Sequence, residues 1–291
     1  MENKKGLNVI VWSKDRPIQL HLCLESLVQN FKEAKDSTIA VVYRGTSEKV
    51  TKAYDKLREI WSERELAGGP KINFIYDTNF YLMTSMAFGY HEQTMFVVDD
   101  QVFCNPFSVE DGIFELHRTH PETYFSISLR LGLNKTYCYP VDQNQPLPTF
   151  DKVSDEFIAW VWNKAQFDWG YAASLDGNVY HTNPIRSLIM RFQPQQILNP
   201  NTLEVILNSA AQQGMIVYPP KIIAYTEAKT VSVPVNKVQS TFDNRASNAY
   251  TPEFLLEKWE EGFKIDEKDA IEKVKNSNSP HTPIEYIFIA R

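Results

Sequence analysis

A chain of 291 residues, 43% hydrophobic and 23% charged, is long enough to bury a large core and too apolar to stay disordered. Its formal net charge of -6 argues against a nucleic-acid partner, because phosphate backbones select basic surfaces. No run reaches the roughly 18–20 apolar residues of a membrane span, and three widely spaced cysteines, Cys23, Cys104 and Cys138, show no metal-ligand spacing.

Residues 1–15 lack the apolar core of a secretory leader and go straight into a strand-like run, which with the cysteine usage predicts a cytoplasmic protein without a structural zinc site. Leu7–Trp12 reads as a short buried strand. It leads into Ser13-Lys14-Asp15-Arg16-Pro17, where Pro17 suits the first position of a helix carrying Leu20, Leu24, Leu27, Val28 and Phe31 at helical spacing. Thr38–Tyr43 is a second strand. A helix from about Ser47 places Val50, Tyr54, Leu57 and Trp61 on one face and stops at Gly68-Gly69-Pro70. Ile72–Tyr76 follows as a strand, Leu82–Tyr90 as a helix, and Thr94–Val98 as a strand ending at Asp99-Asp100.

This alternation predicts an α/β fold with a mostly parallel central sheet and helices on both faces. Ligands of such sheets bind beyond the carboxyl ends of the strands. Ser13–Arg16, Tyr43-Arg44, Asp77 and Asp99-Asp100 should therefore meet in one crevice. Past Asp100 the alternation loosens. A helix is expected over Val109–Thr119 and a strand over Tyr124–Leu131, with Ser126, Ser128 and Arg130 on one face. Tyr139–Phe150 is a Pro-, Gln- and Asn-rich loop long enough for a lid or acceptor loop, and Phe157–Trp162 is aromatic-rich. Helices are expected near Pro184–Phe192 and Thr202–Gln213, then from Thr251 to Gly262 and from Asp266 to about Lys275.

Adjacent carboxylates at the end of a buried strand need a cation or hydrogen-bond donors to offset them. Asp99 and Asp100 fit a magnesium or manganese ion bridging to substrate phosphates, or else a solvated turn. Arg130, on a core-facing strand position, needs a partner, either a diphosphate or a structural ion pair. No GxGxxG, GxxxxGK[ST] or GxSxG occurs, which sets aside dinucleotide-binding, P-loop and α/β-hydrolase readings.

The run Phe96-Val97-Val98-Asp99-Asp100-Gln101-Val102-Phe103, closing a β/α half, resembles the nucleotide-binding half of GT-A glycosyltransferases. Ser128-Leu129-Arg130-Leu131-Gly132 and Trp169-Gly170-Tyr171-Ala172-Ala173-Ser174-Leu175-Asp176-Gly177 are similar to a bacterial, family-2-like branch of them, and the likeness covers most of residues 7–182. It implies a GT-A fold and a glycosyltransferase, hexosyl or N-acetylhexosaminyl, moving sugar from a nucleoside-diphosphate sugar, by analogy a UDP-sugar, to a saccharide or other hydroxyl acceptor, as in polysaccharide biosynthesis. Residues 1–104 would form the nucleotide-sugar half, 105–250 the acceptor half of the same domain, and 251–291 a helical extension.

The Ser13-Lys14-Asp15-Arg16 loop resembles the family's first nucleotide-contacting loop, so Ser13, Asp15 and Arg16 with Asp99 are expected nucleotide contacts, joined by Arg44 and Asp77 from their strand-end positions and by Arg130 if its partner is a diphosphate. Mn2+ or Mg2+ would sit at Asp99 and Asp100, with His181 as a late histidine ligand. Gln101 stands where the family's metal motif places its last aspartate, so ligation shifts to Asp100, weakens or is dispensed with. Asp176, followed by a glycine that permits close approach, is the preferred base, with Asp155, Glu156 and Asp168 as alternative carboxylates. Trp169 and Tyr171 either form a sugar platform or belong to the core. The competing function is a non-catalytic nucleotide- or carbohydrate-binding protein on a decayed transferase scaffold.

Overall fold

The computed structural model describes residues 5–215, 218–238, 245–247 and 249–291. Strand and helix alternate through the first part: β1 (Asn8–Lys14), α1 (Pro17–Asn30), β2 (Thr38–Arg44), α2 (Glu48–Leu66), β3 (Ile72–Tyr76), α3 (Phe80–Ala87) and β4 (Gln93–Val98). There follow β5 (Gln101–Phe103), α4 (Gly112–Thr119), β6 (Tyr124–Ser128), β7 (Tyr137–Cys138), β8 (Gln143–Asn144), β9 (Phe150–Lys152), β10 (Phe157–Val161) and β11 (Asn178–His181). The remainder comprises α5 (Thr182–Ile189), α6 (Pro200–Gln212), β12 (Lys221–Tyr225), β13 (Thr230–Ser232), α7 (Pro252–Glu260), β14 (Phe263–Ile265), α8 (Glu267–Lys275) and β15 (Phe288–Ala290).

Local chemistry sets these boundaries. Pro17 opens α1, and the side chains of Ser47 and Asn79 accept backbone N–H groups of Val50 and Leu82 to cap α2 and α3. Continuous apolar runs form β1, β2 and β4 because both faces of the sheet are covered. Val9, Val11, Ile39, Val41, Met95 and Val97 point into one core, and Ile10, Trp12, Ala40, Val42 and Phe96 into the other.

The main sheet has the order β3-β2-β1-β4-β11-β6-β12-β10-β9. All its strands run one way except β11 and β10, which are antiparallel to their neighbours. The expected α/β class with a mostly parallel sheet is thus observed. Two local expectations shift. The sixth strand ends at Ser128, leaving Leu129–Leu131 as irregular backbone, and the Tyr139–Phe150 stretch takes part in a β7–β8 hairpin.

Residues 251–291 do not stand apart. Their antiparallel β14–β15 pair and helices pack on α1, where buried Glu25 binds Lys264 (2.9 Å), Arg64 of α2 and His21 (3.5 Å). Trp259 meets His21 edge-on at 5.5 Å and carries the Arg291 guanidinium on its face at 3.9 Å. Farther along, β13 pairs with β5, and the backbone of Ser232 binds both Pro280 and Thr282. That clip draws residues 279–282 to the carboxyl end of the sheet.

Gly177 makes the turn into β11 at φ +75°, a left-handed conformation, and a Cβ there would lie 2.6 Å from Thr230 Cγ2 and 3.0 Å from Gln101 Nε2. Gly177→Ala is expected to cost more than about 1 kcal/mol, seen as a lower urea midpoint with an unchanged slope.

Candidate functional site

Parallel pairing brings the sequence-predicted loops together. The registers Trp12↔Val98, Lys14↔Arg44 and Tyr43↔Tyr76 place Ser13–Arg16, Arg44, Asp77 and Asp99-Asp100 at one end of the sheet. Asp99 lies at their centre. Its Oδ2 accepts from Ser13 Oγ (2.8 Å) and the Lys14 N–H (3.2 Å), and its Oδ1 from Arg16 Nη1 (3.1 Å). Arg16 Nη1 also donates to Asp100 Oδ2 (3.3 Å), and Nη2 donates to the Asn236 carbonyl (2.6 Å). The Tyr54 hydroxyl joins Ser13 Oγ (2.7 Å) and accepts the Arg16 N–H (3.1 Å). Burial pushes both carboxyls up, Asp100 to about 7, against the pull of Arg16.

The outer strand ends are more open. Asp15, at φ 56°, spends its carboxylate on the N–H and hydroxyl of Thr46, fixing the turn after β2. Arg44 is exposed, and Asp77 has a buried Oδ1 with no hydrogen bond. Burial raises the Asp77 pKa, opposed by the charge of Arg44.

A second group of charges lies beside the first. The Gly177 N–H binds the Phe96 carbonyl of β4, and the Leu129 N–H binds the Gly177 carbonyl. Those bonds set Asp176 at the carboxyl ends of β4 and β6. Asp176 Oδ2 meets His281 Nε2 at 3.2 Å, and His281 Nδ1 lies 3.9 Å from Asp168 Oδ1. Asp168 in turn accepts from Arg130 Nη1 at 3.0 Å, both side chains being buried. Arg130 thus has an aspartate partner. Burial opposes ionisation of Asp176, but the bond to His281 and the charges of His281 and Arg130 hold its pKa below the usual carboxylate range. Burial likewise works against the His281 cation, and Asp176 and Asp168 raise its pKa overall.

Two residues here escaped the sequence reading. His281 arrives from a segment with no local signal of function. Glu204 of α6 accepts the Leu175 N–H (2.8 Å) and has its pKa raised to about 7, by burial first and by Asp176 second. Its spacing on α6 resembled that of any solvated helix position.

Other expectations are corrected by placement. His181 pairs with Gln93 at the start of β4, about 20 Å along the strand from Asp99, and stacks on His117. It cannot share an ion with Asp99 and Asp100. Gln101 is wholly buried, its Oε1 accepting the Val98 N–H (3.2 Å). Trp169 is core, donating to the Lys135 carbonyl. Asp155 and Glu156 are exposed, Asp155 beside Lys152.

The expected metal does not suit this arrangement. Hydrogen donors already engage both oxygens of Asp99, and a guanidinium lies between the two carboxylates. A divalent ion about 4 Å from that guanidinium would meet a repulsion on the order of 8 kcal/mol at an effective dielectric constant of about 20. Among the described residues, no three His, Cys, Asp or Glu side chains form a group able to hold an ion.

Two hollows flank the sheet. A groove of about 700 Å³ begins at His281 and is lined by Tyr137, Tyr139, Lys273, Asn276, Asn278 and Thr282 among others. An aromatic hollow of about 340 Å³, between Phe125, Tyr180, Tyr218 and Arg191, lies by His181 at the opposite strand ends.

No known protein-family model matches the chain, and no curated protein does. Among solved structures it is similar to Staphylococcus aureus TarS 1–349, with 15% identity and a TM-score of 0.49 over 78% of this chain and 60% of that one. It is also similar to the mannosyltransferase PcManGT of Pyrobaculum calidifontis in complex with GDP-Man and Mn2+, with 11% identity and a TM-score of 0.37 over 76% of this chain and 57% of that one. Mouse xyloside xylosyltransferase 1, apo form, gives 10% identity and a TM-score of 0.33 over 72% and 77%. The likeness is one of fold. The chain spans about six tenths of the length of the first two, and the function must be argued from its own residues. No described helix is long and apolar enough to cross a membrane.

Two outcomes follow from the buried charges. Arg130→Met strands Asp168 and should cost about 3–5 kcal/mol in urea unfolding, most of it recovered in the Arg130→Met, Asp168→Leu double variant. Glu204 has a raised folded-state pKa, so its contribution is greatest at low pH and falls as pH rises from about 4.5 through about 7. Glu204→Gln should flatten that limb of the melting temperature against pH.

Proposed function

We propose that the chain is a glycosyltransferase that moves a sugar from a nucleoside-diphosphate sugar to an acceptor hydroxyl. The observation that carries this reading is Asp176, a carboxylate held ionised by His281 between the Asp99 crevice and the Tyr137–Tyr139 groove. Sugar transfer needs one acid to accept a proton beside one pocket for a phosphorylated leaving group and another for a polyhydroxyl acceptor. Asp176 is near enough to Asp100 to add its charge to burial in raising that pKa, and its partner His281 lines the groove, which supports this reading.

In this reading the donor's nucleoside lies over the ends of β1, β2 and β3. Asp77 Oδ1, an acceptor without a partner, takes a base or ribose donor group, and the exposed Arg44 and Lys14 face the diphosphate. A UDP-sugar is the first donor to try. The acceptor enters along the groove, where Tyr137 and Tyr139 offer ring faces and Asn276, Asn278 and Thr282 offer hydrogen bonds. His281 engages Oδ2 of Asp176, leaving its other oxygen for the acceptor O–H. As that proton passes to Asp176, the acceptor oxygen bonds to the anomeric carbon, and the bond to the nucleoside diphosphate breaks with its electron pair. This describes direct displacement with inversion. Asp168 and Arg130 position His281 and do not themselves touch substrate.

The tied acid pair gives one specific reason to keep the binding-protein reading, since a decayed site would hold nucleotide without turning it over. A panel of nucleotide-sugars, assayed for released nucleoside diphosphate with mono- and oligosaccharide acceptors, separates the two. Asp176→Asn should lower turnover by about 10²–10⁴ with the donor dissociation constant within about twofold. Unchanged turnover would remove Asp176 as the base, and no release from any donor would favour the binder.

A further inference from the structure

We infer that Arg16 takes the place of a divalent cation at Asp99 and Asp100, so that a nucleoside diphosphate enters this crevice without metal. The second half rests on the donor reading above, whereas the first concerns only the acid pair.

Arg16 is built into its position. Its side chain is 10% exposed, against 5% for Asp99 and 16% for Asp100. The backbone is fixed by the Tyr54 hydroxyl on its N–H and by the Leu20 N–H on its carbonyl (2.9 Å). At the far end, Nη2 is tied to the Asn236 carbonyl, so both ends of the fork are occupied. A guanidinium stays charged across the accessible pH range, and here its Nη1 alone serves both carboxylates.

The residues that would complete a metal site are committed elsewhere. Gln101 turns its amide into the core, His181 is at the other end of β4, and His281 is held by Asp176. Asp99 has no oxygen clear of a hydrogen donor. Arg16 therefore offsets one of the two negative charges and occupies the space between the carboxylates that an ion would need. Arg16 acts here through the two aspartates, as a positioning residue for the phosphate end of the crevice.

The test uses the full chain. Titration of Mn2+ followed by the electron paramagnetic resonance signal of the free ion should show no uptake by the wild-type protein, while Arg16→Met, which uncovers the pair, should gain one site. Arg16→Lys, which keeps a positive charge, should remain without uptake if the methionine variant fails to fold. Stoichiometric uptake by wild type would overturn the inference. Calorimetric titration with UDP and GDP, in EDTA and in Mn2+, should give dissociation constants agreeing within about twofold. Binding that needs Mn2+ overturns the inference and leaves the donor reading standing. Absence of binding in both buffers defeats the donor reading, and wild-type Mn2+ uptake then still decides the state of the acid pair.

Discussion

Asp99 is a charge removed from water at the point where β1 and β4 run side by side, and the surrounding architecture answers it. A buried carboxylate is costly unless donors converge on it. Here they come from a strand-end hydroxyl, a backbone N–H and the first guanidinium after the strand. Each donor depends on parallel register, since slipping β1 by one residue against β4 would carry Ser13 to the opposite face. Tyr54 of α2 then locks the same loop through its hydroxyl, so that helix, two strands and turn share one polar knot.

Around that knot the charges fall into two linked sets. Arg16 is shared between Asp99 and Asp100, and Arg130 with His281 balances Asp168 and Asp176. Glu204 borders the second set and gains its proton affinity from burial and from Asp176. The division matters chemically. One acid pair shares an arginine that never titrates and has its pKa values pushed up by burial, while Asp176 is answered by a histidine and held in its ionised form. Environment assigns different tasks to similar carboxylates.

Much of the β/α half was readable because its signals are contiguous. Apolar runs mark the strands, Pro17 and Ser47 the helix starts, and Asp99-Asp100 follows its strand directly. The crevice could be inferred because parallel strands end together. Sequence failed where the chain reverses. β11 is antiparallel, so four residues carry the path from the Asp176 end of the sheet to the Gln93 end, taking His181 with it. The histidine that does meet Asp176 lies 105 residues away and is held by the Ser232 clip, for which no local pattern exists. Gln101 reads as a departure from the metal motif, and the reason for its inward direction lies in β5, whose pairing with β13 the sequence does not display.

The Ser232 clip also bears on the order in which the molecule can be made. During synthesis the β/α half emerges first and can pair its own strands, and domains tend to fold in that order. Asp168 and Asp176 then exist for some time without His281, whose segment follows roughly a hundred residues later, and closing so long a loop slows the step more than it weakens the result. A nascent chain would hold the Asp99 strand ends beside Asp176 without its histidine, Asp168 being already met by Arg130, and the full set of charges would come together in one late docking event. Chain elongation would thereby set when Asp176 meets its partner, an order written into the late position of His281 in the chain.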